Sequence, residues 1–235
     1  MTKCNLLIVF VVCSFFLKSE ASEKDVYDFS WLDPDKEVYV LQNRKFRKKE
    51  NATIHFGGGI TTSGAFINST SLQARFNYFF GEELGVEFLY AKNYGKENEA
   101  ALLAQTSGPQ GTGTIPFRRI TKNYTGAYVL WSPFYSKINT FNKIVYMDWI
   151  MGLGVVSLAE DNNKLAFRSA SLRNTVSSES HLGLSWQASM KFYVSEHWNI
   201  RADLTAGHFN VEKASGDGKT LFSNYDATLS LGYTF

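Results

Sequence analysis

Cysteine is almost absent from this chain: of 235 residues only Cys4 and Cys13 carry a thiol, and both fall within the first 21. Residues 22–235 therefore offer no disulfide and no cysteine metal site. Proline is sparse, at four, and no later run is long and uncharged enough for a membrane helix; the best, Ile144 to Ala159, is broken by Asp148. A surplus of one charge is missing too, since 24 Lys and Arg stand against 22 Asp and Glu. That balance gives no case for nucleic acid as a partner. The chain has no HExxH, no paired-carboxylate spacing and no phosphate-cradling loop, because Gly57-Gly58-Gly59 lacks a following Lys-Ser/Thr and sits in an alternating segment. No catalytic, cofactor-binding or metal residue is assigned, and no cofactor is expected.

What is present is alternation. Stepping back by twos from Phe235 gives Tyr233, Leu231, Leu229, Ala227 and Tyr225, whereas the other parity reads Thr234, Gly232, Ser230, Thr228 and Asp226. Side chains alternate across a strand, so one face is oily and the other small and polar. A closed barrel in lipid needs that arrangement, apolar outside and polar inside, because closure leaves no sheet edge in the hydrocarbon. Leu229, Leu231, Tyr233 and Phe235 also resemble the C-terminal insertion signal of bacterial outer-membrane proteins, which implies handling by the barrel-assembly machinery.

The other end of the chain agrees with export. Lys3 opens a short charged region, Leu6 to Leu17 is almost wholly apolar, and Ser19-Glu20-Ala21 supplies small residues for cleavage after Ala21. Residues 1–21 are read as a cleaved signal peptide. Val11-Val12 ahead of Cys13 departs from a lipoprotein signal, so no lipid anchor is expected. Removing the signal takes away Lys3, Lys18 and Glu20 and moves the formal charge from +2 to +1.

Eight alternating segments follow: Ala52–Thr61, Ser69–Phe80, Leu84–Ala91, about Asn123–Trp131, about Lys143–Leu158, His181–Val194, Asn199–Gly207 and Tyr225–Phe235. The parity of the fourth stays open, because Tyr124, Tyr128 and Leu130 compete with Val129 and Trp131 for the lipid face. Gly81-Glu82-Glu83 and Ser195-Glu196-His197 read as tight turns, Ser132 to Asn142 as a moderate connection, and Lys92–Lys122 and Ala159–Ser180 as long polar loops. Outer-membrane barrels carry short turns on the periplasmic side and long loops outside. The rhythm predicts an all-β, eight-stranded antiparallel up-and-down transmembrane β-barrel over residues 52–235, with periplasmic termini and long extracellular loops. It locates the protein in the Gram-negative outer membrane, in contact with its lipid.

The lumen face carries Arg75, Lys191 and Arg201 with Glu87, Asp148, Asp203 and Asp226. These charges make a poor sandwich core but a reasonable barrel interior. An interior of ~8 strands is just wide enough to be filled by side chains. The seven residues are expected to pair as a plug, with the interior glycines at 57, 59, 85, 152, 154, 183, 207 and 232 making room for them. Lys164, in a predicted loop, serves as an exposed charge of little consequence.

Of the histidines, His55 reads as an interior polar group and His197 as a turn residue. His181 cannot share a proton with Ser180 beside it, since neighbours on a strand face opposite ways. His208 has no serine at matching spacing. The preferred function is a non-enzymatic structural or anchoring component of the envelope. The alternatives are a narrow, porin-like channel and a lipid-modifying enzyme.

Residues 22–51 form a separate segment, acidic at first (Glu23, Asp25, Asp28, Asp33, Asp35, Glu37) and basic at its end (Arg44, Lys45, Arg47, Lys48, Lys49). It reads as a solvated periplasmic leader, with docking to an envelope protein as the sharper alternative. Val38-Tyr39-Val40-Leu41-Gln42-Asn43-Arg44-Lys45-Phe46-Arg47-Lys48, and Trp131-Ser132-Pro133-Phe134-Tyr135-Ser136-Lys137 leading to Asp148-Trp149 and Gly152-Leu153-Gly154, resemble a family of small outer-membrane β-barrel-domain proteins of gliding and predatory bacteria. Ser136 stands where that pattern has Gly. The resemblance implies a structural partner role in an envelope or motility complex and supplies no catalytic residue.

Overall fold

The computed structural model describes residues 44–62, 64, 66–106, 116–140, 143–168 and 176–235. The signal peptide and the leader as far as residue 43 lie outside the described residues, as does the Gly-rich centre of the third connection. Residues 44–235 form one compact unit.

Alternation does what lipid requires. Strands β1 (Asn51–Thr62), β2 (Ile67–Phe79), β3 (Leu84–Glu97), β4 (Arg119–Thr140), β5 (Lys143–Asn162), β6 (Ser177–Tyr193), β7 (Trp198–Glu212) and β8 (Lys219–Thr234) pair with their sequence neighbours. β8 returns antiparallel to β1, with Thr53 opposite Thr234 and Thr61 opposite Asp226. The sheet is a closed eight-stranded barrel without an edge at the seam. Phe56, Phe76, Phe88, Val129, Leu153, Leu184, Leu204 and Leu229 point outward and are exposed, Leu153 by 71 %. A belt of this kind is stable only against hydrocarbon.

The predicted tight turns are there. Phe80 and Gly81 donate to the Leu84 carbonyl, and Val194 and Ser195 to that of Trp198. Other boundaries moved. Residues 132–140, read as part of a moderate connection, are strand instead: after a register shift between Trp131 and Phe134, β4 and β5 stay paired as far as Thr140 and Lys143. Because β3 begins at Leu84 and the β5–β6 ladder starts at Tyr146, this ribbon projects beyond both neighbouring ladders. The described parts of the long connections also hold regular structure. β3 runs to Glu97 and is followed by helix α1 (Glu99–Thr106), capped by Asn98 Oδ1 on the Ala101 amide; β5 runs to Asn162, ahead of the one-turn helix α2 (Lys164–Arg168). Polar sequence concealed these pieces, since above the lipid both faces of a strand meet water or lumen and alternation fades.

The open parity of β4 resolves with Tyr124, Tyr128 and Leu130 inside and Val129 and Trp131 outside. Both phenols reach lumen partners, Tyr124 donating to Asp226 (2.7 Å) and Tyr128 to Ser185 (2.9 Å). Buried Leu89, Leu130, Ile150, Val156, Leu158, Phe209 and Val211 join them in one cluster, so much of the interior is apolar. The glycines serve this packing more than the charges. A Cβ on Gly59 would overlap the Ala227 carbonyl oxygen, one on Gly126 the Tyr128 ring, and one on Gly207 the Phe209 ring. Room is made for neighbouring backbone and aromatic rings, contrary to the sequence expectation.

Candidate functional site

Four of the seven predicted lumen charges come together. Arg75 on β2 donates to Glu87 on β3 (2.9 Å) and lies 3.5 Å from Asp203. Arg201 on β7 reaches across the lumen to the other oxygen of Glu87 and approaches Asp203 through Nε at 2.7 Å. All four are buried. The neutral donors around them complete the set: Gln187 accepts from Arg75 (2.7 Å) and donates to Glu87 (3.0 Å), Gln73 and Thr205 accept from Arg75, and Ser189 accepts from Arg201 and donates to Asp203. Two cations and two anions, tied to β2, β3, β6 and β7, form a neutral brace across the barrel. Buried ions tolerate this only when paired and hydrogen-bonded.

The other three do not belong to it. Asp148 pairs with Lys48 (3.1 Å), a residue ahead of the barrel, and accepts from the Tyr193 hydroxyl. Asp226 has no cation within ion-pair distance among the described residues and is held by neutral donors, Tyr124 and Asn224 (3.0 Å). Lys191, expected in the plug, has a 3.4 Å contact to Thr53 as its hydrogen bond and no carboxylate within 4 Å among the described residues. Parity could assign these side chains to the lumen. It could not tell at what height, or on which side, each would find a partner.

Lys48 reveals what the leader does. Residues 44–50 cap the barrel at its short-turn end: Phe46 stacks on Tyr193 (4.6 Å between ring centres) and meets Tyr146 edge-on, while Lys48 donates to Ser132 (2.6 Å). Arg44 pairs with Glu82 at 3.4 Å. The basic end of the leader is thus partly buried in the mouth rather than solvated at its rim.

The C-terminal residues Leu229, Leu231, Tyr233 and Phe235 all lie on the outer face, exposed. Tyr233 packs edge-on against Trp198 (5.2 Å) and Phe235 (5.2 Å) and stacks with His197 (5.5 Å), giving an aromatic border at the lower edge of the belt. His55 is interior as expected, bonded to Asn199 (2.9 Å).

At the opposite end, above the belt, lies a cluster that local reading missed. Glu160 on β5 and Glu179 on β6 are register partners, and His181 approaches Glu160 at 3.2 Å and Glu179 at 3.7 Å. Their donor atoms lie within 4.8 Å of one another, close enough to share a metal ion. Cations already occupy them, however: Arg119 sits 2.9 Å from Glu160, and Lys164 on α2 binds Glu179 and, at 2.9 Å, Glu212. Lys164 is therefore no free loop charge. Burial raises the Glu160 carboxyl above its usual range despite Arg119. For Glu179 burial acts the same way but the Lys164 contact outweighs it, holding that carboxyl low.

His208 does have a serine nearby, supplied by the adjacent strand. Its Nδ1 lies 2.8 Å from Ser223 Oγ on β8, and its Nε2 lies 3.2 Å from the Trp186 indole nitrogen. An indole N–H only donates, so Nε2 accepts and the neutral ring carries its proton on Nδ1, facing the serine. A nucleophilic serine needs the opposite arrangement, a ring nitrogen free to take its proton.

No family model matches the chain, and no curated protein does. Among solved structures it is similar to the N-terminal β-barrel domain of OprF from Pseudomonas aeruginosa, at 13 % identity over 80 % of this chain and 98 % of that one, with a TM-score of 0.47. Ail, the attachment invasion locus protein of Yersinia pestis, matches at 13 % identity over 80 % and 99 % of the two chains, with a TM-score of 0.42. OprG of Pseudomonas aeruginosa, an outer membrane protein, gives 12 %, 82 %, 99 % and 0.41.

Proposed function

We propose that the protein is a non-enzymatic barrel of the outer membrane whose work is anchoring: it holds a periplasm-facing ribbon and its leader at the membrane for contact with another envelope protein. The carrying observation is the combination of a braced, capped lumen with the ribbon of residues 134–140 and 143–145 that projects past both neighbouring ladders. Phe134, Ile138, Ile144 and Val145 on this ribbon are exposed. Among the described residues no strand pairs with its outer edges, whose backbone groups are a template to which a partner strand can add. The inner side is already taken, since Tyr135 and Tyr146 contact Arg44, Lys45 and Phe46. Orientation follows from the connections, with the short-turn end and both barrel termini toward the periplasm and α1 and α2 outside.

The gliding-family resemblance makes a motility or envelope complex the natural setting. A steady channel finds least support because the brace and the apolar cluster occupy the lumen. The His208 tautomer speaks against a serine hydrolase acting on lipid. A photo-crosslinking residue at Ile138 in the native envelope tests the reading, with Leu153 on the belt as control. Discrete protein adducts from position 138 and lipid contacts alone from 153 are expected. Recovery of the protein as a soluble periplasmic monomer, or no protein adduct from the ribbon, would sink it.

A further inference from the structure

The cap leaves a cavity of about 270 Å³ beneath it at the short-turn mouth. Lys45, Arg47, Lys48 and Lys191 line it, together with Thr53 and Glu196. Lys191 is the telling member. Its side chain comes from β6 inside the barrel, is 2 % exposed, and lies over the Tyr193 ring at 5.1 Å. Asp148, its register partner on β5, turns Oδ2 to Lys48 and the Tyr193 hydroxyl, and neither of its oxygens lies within 4 Å of the Lys191 ammonium. A buried ammonium without a carboxylate is costly unless something completes it.

The neighbouring cations make the same point. Lys48 is neutralised by Asp148, and Glu196 offsets one more charge, which leaves the four cations with an excess of two. Arg47 is exposed and forms no ion pair among the described residues. Thr53, hydrogen-bonded to Thr234 at 3.0 Å, adds a hydroxyl to the wall. We propose that this cavity is a binding site for a small oxyanion of the phosphate class, held by Lys191 from within the barrel and by Arg47 and Lys45 from the cap. A doubly charged phosphate matches the excess, and a guanidinium beside ammonium groups is a usual way to hold one. Bound there it would tie the cap to the barrel wall, so occupancy and closure of the mouth are coupled.

The test uses the full chain, folded in a phosphate-free maltoside detergent. Inorganic phosphate is titrated against sodium chloride at equal ionic strength, and the temperature at which the folded gel band is lost is followed. Phosphate should raise that temperature saturably, with chloride having little effect. Arg47→Gln and Lys191→Gln should each weaken the phosphate response at least tenfold, while Lys122→Gln at the other end should leave it alone. Arg47 lies outside every strand, so its variant remains informative even if Lys191→Gln fails to fold. Dihexanoyl phosphatidylglycerol below its micelle concentration separates the sources: if it replaces phosphate the anion is a lipid headgroup, and if it does not the ligand is free phosphate. Equal stabilisation by chloride, or an undiminished phosphate response in Arg47→Gln, overturns the assignment.

Discussion

Replacing Glu87 by Gln tests the brace at a carboxylate that both arginines share, each on its own oxygen. Arg75 reaches one Glu87 oxygen and Arg201 the other, so the substitution leaves two buried cations facing Asp203 alone. Removing one partner from a buried ion pair costs about 3 to 5 kcal/mol, mostly because the charge left behind has lost its compensation. Gln can still accept one of the lost hydrogen bonds, which favours the lower end. With a urea dependence of about 2 kcal/mol per molar, a 3 kcal/mol loss moves the midpoint down by roughly 1.5 M. Unfolding from lipid vesicles, followed by the fluorescence of Trp131, Trp149, Trp186 and Trp198, gives that midpoint. The double variant Glu87→Gln/Arg201→Gln restores neutrality and keeps the Arg75–Asp203 contact, so it should recover a good part of the loss. Glu212→Gln, on an exposed side chain above the belt, is the control. An unchanged midpoint in Glu87→Gln, or a double variant worse than both singles together, would refute the account of the brace.

Deleting Phe235 should cut the yield of membrane-folded protein well below that of a substitution such as Lys122→Gln, read as the heat-modifiable band, because it removes the aromatic border on Tyr233 and the Phe235 amide bond to Ala52. In planar bilayers the unmodified protein should show little steady conductance, and Phe46→Ala together with Arg75→Gln should produce openings; a large stable conductance before any change would contradict the filled lumen. The last prediction concerns pH. Glu179 titrates below its usual value in the folded state, so its pairing with Lys164 stabilises α2 fully above about pH 4.3 and is lost as pH falls through the lowered value. Proteolysis near α2 should therefore accelerate under acid conditions in the native chain and show no such step in Lys164→Met.

Alternation by itself determined the strand count, the closure at Phe235 and the inward side of seven strands, because lipid on one side and a lumen on the other leave each position two choices of opposite chemistry. Where that contrast weakens, the sequence falls silent. Tyr124 and Tyr128 suit either face, and only Asp226 and Ser185, brought opposite by the closed barrel, drew them inward. The ribbon of residues 134–140 and 143–145 escaped for a related reason, since past the membrane edge a strand need not alternate at all. Pairing was decided by the tertiary structure throughout. Parity put Arg75, Glu87, Lys191 and Asp203 in one lumen, but barrel tilt and register set their heights, joining Arg201 to the brace and leaving Lys191 at the capped mouth. Glu160 with Glu179, and His208 with Ser223, are each 15 or more residues apart and meet through register alone. A charge's face is a local property of the strand, whereas its partner depends on how eight strands close around a common axis.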